Sequence, residues 1–286
     1  MPGTIAKLAI LGVGLIGGSF GLICRKKKLA REVWGYGRRE ATLRKALERG
    51  LIDRYTLDLK EAVEGADVVM LALPVEGIVR AGEEIVPYLK EKAVVTDVGS
   101  AKEKIVRRLD EILPPGVSFV GGHPIAGTEK SGPEAAFEEL FRGRHCLLTP
   151  SGKTDAKALD LVKDLWEETG ALVSTMDPER HDRLLAFISH LPHMAAYALV
   201  DSLAGKEEEF PGLFSYTAGG FKDFSRIASS SPAMWKEICL QNGPAIRQAI
   251  EDFKASLSEI GRCIETGDET SLEQIFRNAK EIRDKL

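Results

Sequence analysis

The chain has only four cysteines, Cys24, Cys146, Cys239 and Cys263, far apart, with no C-x-x-C pair and no metal-ligand spacing. That pattern argues for reduced, mostly buried thiols and against a disulfide framework or a zinc site. An excess of basic residues is also missing. A formal net charge of -4 gives no broad attraction to phosphate backbones or anionic lipid, so neither nucleic acid nor a membrane is an expected partner. Long apolar runs are scarce. Residues 8–24, following Lys7, superficially resemble the core of an export signal, but their glycines have another use. No other stretch approaches the ~20 apolar residues of a membrane span. Without an export signal the expected compartment is the cytoplasm. Glycine and proline are not in excess, which excludes fibrous and disordered classes.

What is present is an ordinary globular composition, 44% hydrophobic and 29% charged over 286 residues, long enough for two separately cored domains. From residue 5 to about 176, short β-branched runs alternate with longer amphipathic stretches, the pattern of a parallel sheet with crossover helices. The expected strands are 6–11, 32–35, 67–73, 93–97, 118–121, 146–149 and 172–175, most of them uniformly apolar, as strands covered on both faces must be. Residues 155–169 carry Leu159, Val162, Leu165 and Trp166 at helical spacing, with Gly170 as a stop. After Asp177-Pro178 the alternation gives way to helices alone. The expected organisation is therefore α/β, a Rossmann-type doubly wound sheet over 1–176 followed by an all-α domain over 177–286. That second part should open with a long helix over 178–203, kinked near His190–His193 by Pro192. A loop over 205–214, apolar periodicity over 233–266 and a terminal helix reaching Leu286 complete it.

The strongest local signal is Gly12-Val13-Gly14-Leu15-Ile16-Gly17, directly after the first strand and opening a helix that runs to about Lys28. The first glycine permits the tight turn, the second lets a pyrophosphate approach the backbone, and the third allows close helix packing. The free N–H groups of the helix N-terminus then face the phosphates. Where an NAD enzyme usually carries an acid for the ribose 2′-hydroxyl, about twenty residues on, the sequence has Gly37 followed by Arg38 and Arg39. A glycine leaves room for a 2′-phosphate and the guanidinium forks suit its oxygens, so NADP is the expected cofactor, with NAD possible if the two arginines only open a solvated helix.

Leu73-Pro74 and Val98-Gly99-Ser100 end the third and fourth strands, where open α/β sheets bind ligands. Leu73, Pro74 and Ser100 are expected to line the nicotinamide side. Ser100 fits equally well as an N-cap of a helix over 102–112, with Glu103 completing a capping box. His123 stands in a glycine-rich loop after the fifth strand, a position and residue type suited to acid–base work, although a lone loop histidine is often structural. His181, His190 and His193 share one helix but lack the carboxylates and spacing of a metal site, so no metal is expected. His193 reads as a substrate contact and His190 as a core or supporting residue. In Gly219-Gly220-Phe221-Lys222-Asp223-Phe224-Ser225-Arg226 an arginine could hold a substrate carboxylate, or the segment could simply start a helix with Arg226 in solvent.

Five ordered blocks converge on one family. They are G-x-G-L-I-G-G-S over 12–19, D-V-G-S-x-K over 97–102, G-G-H-P-I-A-G-T-E-K-S-G over 121–132, S-H-L-P-H over 189–193 and G-G-F-K-D-F-x-R-I-A over 219–228. Through them the chain resembles the prephenate and arogenate (cyclohexadienyl) dehydrogenases of tyrosine biosynthesis. The resemblance implies an oxidative decarboxylation with hydride transfer to NAD(P), and a homodimer formed by the helical domain. It implies His123 as the catalytic base, Ser100 as its hydrogen-bonding partner, Arg226 as carboxylate anchor and His193 as a second histidine on the substrate. Thr128, Glu129, Lys222 and Trp235 correspond to positions lining or gating the pocket. Two other readings share parts of the pattern. A β-hydroxyacid dehydrogenase would place a catalytic lysine on the first long helix, where this chain has histidines. A non-catalytic NADP-sensing module would not need the histidine loop.

Overall fold

The computed structural model describes residues 5–128 and 130–285. Glu129 and Leu286, both named above, lie outside them. The first part alternates strand and helix. Its elements are β1 (Ile5–Leu11), α1 (Leu15–Lys26), β2 (Ala30–Tyr36), α2 (Glu40–Glu48), β3 (Arg54–Thr56), α3 (Leu59–Val63), β4 (Val68–Leu71), α4 (Val75–Ile85), β5 (Val94–Asp97), α5 (Glu103–Ile112), β6 (Ser118–Pro124), β7 (His145–Thr149), α6 (Ala156–Glu168) and β8 (Leu172–Thr175). The strands form one sheet in the order β3-β2-β1-β4-β5-β6-β7-β8, so the order reverses between β1 and β4 and opens a crevice at their carboxyl ends.

The apolar runs follow from burial on both faces. Along β1, Leu8 and Ile10 enter one core while Ala9 and Leu11 enter the other; Val68 and Met70 of β4 divide from Val69 and Leu71 in the same way. In the first core Trp166 of α6 sits with its ring centre 4.8 Å from Phe20 and 5.1 Å from Phe141. The second core contains Ala186, Trp235, Ile238, Ile246 and Ala249 from the helical part together with α4 and α5. The two parts thus share a core.

Three strand expectations change. β3, only three residues long, escaped notice because Arg54-Tyr55-Thr56 has no apolar run and needs only one neighbour, β2. β7 runs antiparallel to β6: the connection between them contains short 3₁₀ turns at Pro133–Ala135 and Glu138–Phe141 in place of a crossover helix, so the chain returns beside β6 in the opposite sense. β8 is a mostly exposed edge, with Leu172 52% accessible, not a strand covered on both faces.

From Pro178 onward the described elements are helical: α7 (Pro178–Leu185), a π turn at Ala186–His190, α8 (Leu191–Ala204), α9 (Gly219–Ser225), α10 (Pro232–Gln241), α11 (Gly243–Thr266) and α12 (Glu269–Arg283). The disturbance expected from Pro192 is the π turn just before it, closed by the Leu191 N–H to the Ala186 carbonyl. Widening the turn accommodates a ring that would clash with the carbonyl four residues earlier. The run Pro178–Ala204 is, by length and composition, apolar enough to cross a bilayer, contrary to the expectation that none is. It carries buried His181, Asp182 and His190 against the rest of the chain. The periodic stretch over 233–266 is two helices, because Asn242 leaves helical geometry and Pro244 restarts it.

The glycine turn separates structural from ligand demands. Gly12 has φ +98°, and a Cβ there would lie 2.2 Å from the Ala72 carbonyl oxygen; at Gly17 a Cβ would lie 2.3 Å from the Gly12 carbonyl oxygen. At Gly14 a Cβ would meet nothing within 4 Å. Gly12→Ala and Gly17→Ala should each lower stability by about 1–3 kcal/mol, whereas Gly14→Ala should leave the thermal midpoint unchanged and still weaken dinucleotide binding. Thermal unfolding and a fluorescence titration of each variant check this division.

Candidate active site

Helix α1 starts at Leu15 with no side-chain cap, and its first internal bond, Gly18 N–H to the Gly14 carbonyl, spans 2.9 Å. The N–H groups of Leu15, Ile16 and Gly17 therefore have no partner among the described residues. Next to this helix start, at Gly12 and Gly14, lies a cleft of ≈ 520 Å³ also lined by Gly37, Arg38, Arg39 and Pro74. Free donors, the helix dipole and the space at Gly14 fit a pyrophosphate. Arg38 and Arg39 are exposed, and neither makes an ion pair among the described residues. A Cβ at Gly37 would only touch Leu43 at 3.5 Å, so packing does not require glycine there. Leu73 and Pro74 lie just beyond β4, Pro74 at the N-terminus of α4.

His123 is not in a loop. β6 continues to Pro124, and His123 pairs with Leu147 of β7, so the antiparallel ladder holds its backbone. Beneath it lies a buried ion pair of Lys102 Nζ with Asp97 Oδ2, both side chains 0% exposed. Lys102 also donates to the Gly122 carbonyl at 2.9 Å, while the Asp97 carboxylate accepts from the N–H groups of Gly99 (2.8 Å) and Gly122 (3.1 Å). Two buried charges are thus paired and hydrogen-bonded, as charges out of water must be.

The ring Nδ1 of His123 lies 2.9 Å from Nε2 of His181, whose Nδ1 lies 2.8 Å from Asp182 Oδ1. The same carboxylate accepts from the backbone N–H groups of Lys102 (2.7 Å) and Glu103 (3.0 Å). This corrects the N-cap expectation: α5 begins at Glu103 with Lys102 as its cap residue, and its open donors are met by Asp182 from another helix, not by Ser100 and Glu103. Among the described residues no hydrogen bond joins Ser100 to His123.

Behind this pair, Asn242 Nδ2 donates to the Asp182 carbonyl (2.7 Å) and to His190 Nδ1 (3.2 Å). The His190 ring meets Trp235 edge-on at 5.8 Å, and Trp235 stacks on His193 at 3.9 Å. His193 donates from Nδ1 to the Ser189 carbonyl at 2.9 Å, and the nearby Arg226 guanidinium helps to lower its pKa, after burial. His123, His193 and Trp235 are thereby gathered along one chain of contacts, and the exposed Arg226 is near enough to His193 to act on its charge. Thr128 and Lys222 are exposed and do not join it. Burial pushes the His123 pKa well below 6.5, helped by His181, Lys102 and His190.

His181, Asp182 and Asn242 were missed as functional residues. A His-Asp dipeptide near a helix start has no distinctive spacing, and nothing in the sequence marks its approach to His123. Asp97 and Lys102 were within a recognised block, without a role.

A doubly wound sheet with a phosphate cradle, joined to a helical part at a buried histidine cluster, defines a two-domain oxidoreductase that uses a nicotinamide cofactor. Comparison with known proteins narrows this. A profile described as the prephenate dehydrogenase nucleotide-binding domain matches residues 20–175, and one described as the prephenate dehydrogenase dimerization domain matches 177–278. The chain is 38% identical to the prephenate dehydrogenase of Bacillus subtilis, over 98% of this chain and 76% of that one. It is 35% identical to the cyclohexadienyl dehydrogenase of Zymomonas mobilis, over 96% and 94%. The crystal structure of Aquifex aeolicus prephenate dehydrogenase with hydroxyphenyl propionate and NAD+ superimposes with a TM-score of 0.94 at 40% identity, covering 100% of this chain and 99% of that one. The chain belongs to the prephenate dehydrogenase family.

Burial pushes the His190 pKa down to about 4. Below pH 6.5 the unfolded chain takes up a proton at this histidine that the folded chain refuses. Its contribution to stability is therefore intact above 6.5 and is lost as pH falls toward 4, by up to about 3 kcal/mol. Denaturant unfolding near neutral pH and near pH 4.5 should show a smaller acid loss in His190→Gln than in the wild type.

Proposed function

We propose that the chain oxidises and decarboxylates prephenate, arogenate or both, giving 4-hydroxyphenylpyruvate or tyrosine, with NADP as the preferred hydride acceptor and NAD as the alternative. The functional halves are 1–176 and 177–286. The observation that carries this reading is His123, ladder-held at the carboxyl edge of the sheet that bears the phosphate cradle, in a member of this family.

His123 takes the proton of the ring hydroxyl, and Ser100 hydrogen-bonds at that hydroxyl. Arg226 pairs with the side-chain carboxylate and His193 contacts the substrate from the face backed by Trp235. Thr128, Glu129 and Lys222 belong to the rim. When bound, the nicotinamide ring accepts the hydride from the carbon that loses its hydroxyl proton, and departure of the ring carboxylate as carbon dioxide makes the ring aromatic. The protein supplies orientation and a neutral base. The missing acid at Gly37, and Arg38 and Arg39 without an ion pair among the described residues, support NADP.

A homodimer through the helical half is part of the proposal. Exposed Ile188 (64%), Leu240 (68%), Ile264 (65%) and Phe276 (54%) lie on it, apolar side chains of the kind an interface covers. The proposed compartment is the cytoplasm.

The test is an activity matrix, NAD or NADP against prephenate or arogenate, followed by absorbance of the reduced nicotinamide. His123→Asn should lower kcat by about 10²–10⁴-fold while sparing dinucleotide binding. Arg226→Gln should mainly raise the substrate KM, by about 10- to 100-fold. Wild-type kcat in His123→Asn would remove the proposed base, and no turnover in any cell of the matrix would remove the reaction.

A further inference from the structure

We propose that His181 and Asp182 are positioning residues that set the tautomer of His123, holding Nδ1 as the protonated nitrogen and leaving Nε2 as the basic one. The proposal rests on the reading of His123 as the base, and it derives from the direction in which each hydrogen bond must run.

The Asp182 carboxylate has three donors around it. Oδ1 faces the Lys102 N–H and His181 Nδ1, and Oδ2 faces the Glu103 N–H. Two backbone N–H groups donate to this carboxylate, which stands as an acceptor to both. An ionised carboxylate only accepts, so His181 Nδ1 carries a hydrogen. A neutral imidazole protonated at Nδ1 has its lone pair on Nε2. That lone pair lies 2.9 Å from Nδ1 of His123, and two lone pairs would repel at this distance. Nδ1 of His123 is therefore the donor, and its lone pair is on Nε2.

A cationic His181 would reverse the arrangement, donating from Nε2 and forcing His123 to hold its proton at Nε2, the position needed empty. Burial opposes that state by lowering the His181 pKa. The charged and titratable groups around the pair are Lys102 at the start of α5, Asp97 at the end of β5, and His190 in the π turn. After burial, His181, Lys102 and His190 also disfavour a positive charge on His123. Asp97 opposes the effect of Lys102 at His181. His181 and Asp182 do not reach the cleft themselves: His181 is fully buried and Asp182 is 3% exposed. They act through His123 alone.

The test uses full-length protein with ¹⁵N-labelled histidine, in wild type, His181→Leu and His181→Gln, with long-range ¹H–¹⁵N correlation spectra at mildly alkaline pH and steady-state kinetics on the same samples. In the wild type His123 should show a protonated Nδ1 and an unprotonated Nε2. His181→Leu removes the acceptor, so His123 should become a mixture of tautomers and kcat should fall by about 10- to 100-fold with KM little changed. His181→Gln offers a carbonyl to Nδ1 and should recover the single tautomer and most of kcat. If His181→Leu does not fold, the wild-type spectrum and the glutamine variant still decide. A wild-type His123 protonated at Nε2 overturns the proposal. So does a folded glutamine variant as slow as the leucine one, or a leucine variant with the wild-type tautomer and rate. Failure of the base reading looks different: His123→Asn would retain turnover whatever the tautomer in the spectrum.

Discussion

The carboxylate of Asp182 is the contact on which the rest of this structure turns. It belongs to the first helix after the sheet, yet its oxygens close the N-terminus of α5 on the sheet side and hold the ring of His181. A helix start has four orphan donors, and burying them without acceptors is expensive. Here the acceptor comes from another part of the chain, so α5 is complete only when the helical part is docked. The shared core of Trp235, Ile238 and Ile246 with α4 and α5 supplies the apolar area for docking. The carboxylate fixes its register.

The buried Lys102–Asp97 pair performs a related service across the sheet. A salt bridge with both side chains 0% exposed is poor evidence for stability, because desolvation offsets much of the attraction. Its geometry points to placement instead. Through the Gly99 and Gly122 amides and the Gly122 carbonyl it ties the end of β5 to the residue before His123. His123 is therefore fixed on one side by a charge network in the sheet and on the other by a ring from the helices.

Much of this was legible in the sequence, for identifiable reasons. Strands buried on both faces must be apolar, so β1, β4 and β5 announced themselves, and the spacing of Gly12, Gly14 and Gly17 is short-range enough to read directly. What could not be read depends on pairing between distant segments. The short edge strand β3 has no core face to betray it. The antiparallel turn of β7 depends on a connection without a helix, which is not visible as periodicity. Ser100 looked like a cap because local rules weigh only local residues, while the true acceptor, Asp182, lies eighty positions away. His181 was counted among the histidines but could not be given a partner without the fold.

The pairing of His123 with Leu147 on a ladder has a consequence for how such an enzyme can diversify. The residue proposed as base and the cradle proposed for the phosphates both stand on the sheet's rigid edge, whereas Arg226 and His193, proposed to meet the substrate, stand on helices and the turns between them. Side chains there that would meet the substrate can be exchanged without disturbing the line between proton acceptor and hydride acceptor, so long as His181 and Asp182 of α7 stay against His123 and α5. Selectivity and reactivity then rest on different side chains, free to change at different speeds, while α7 alone answers to both.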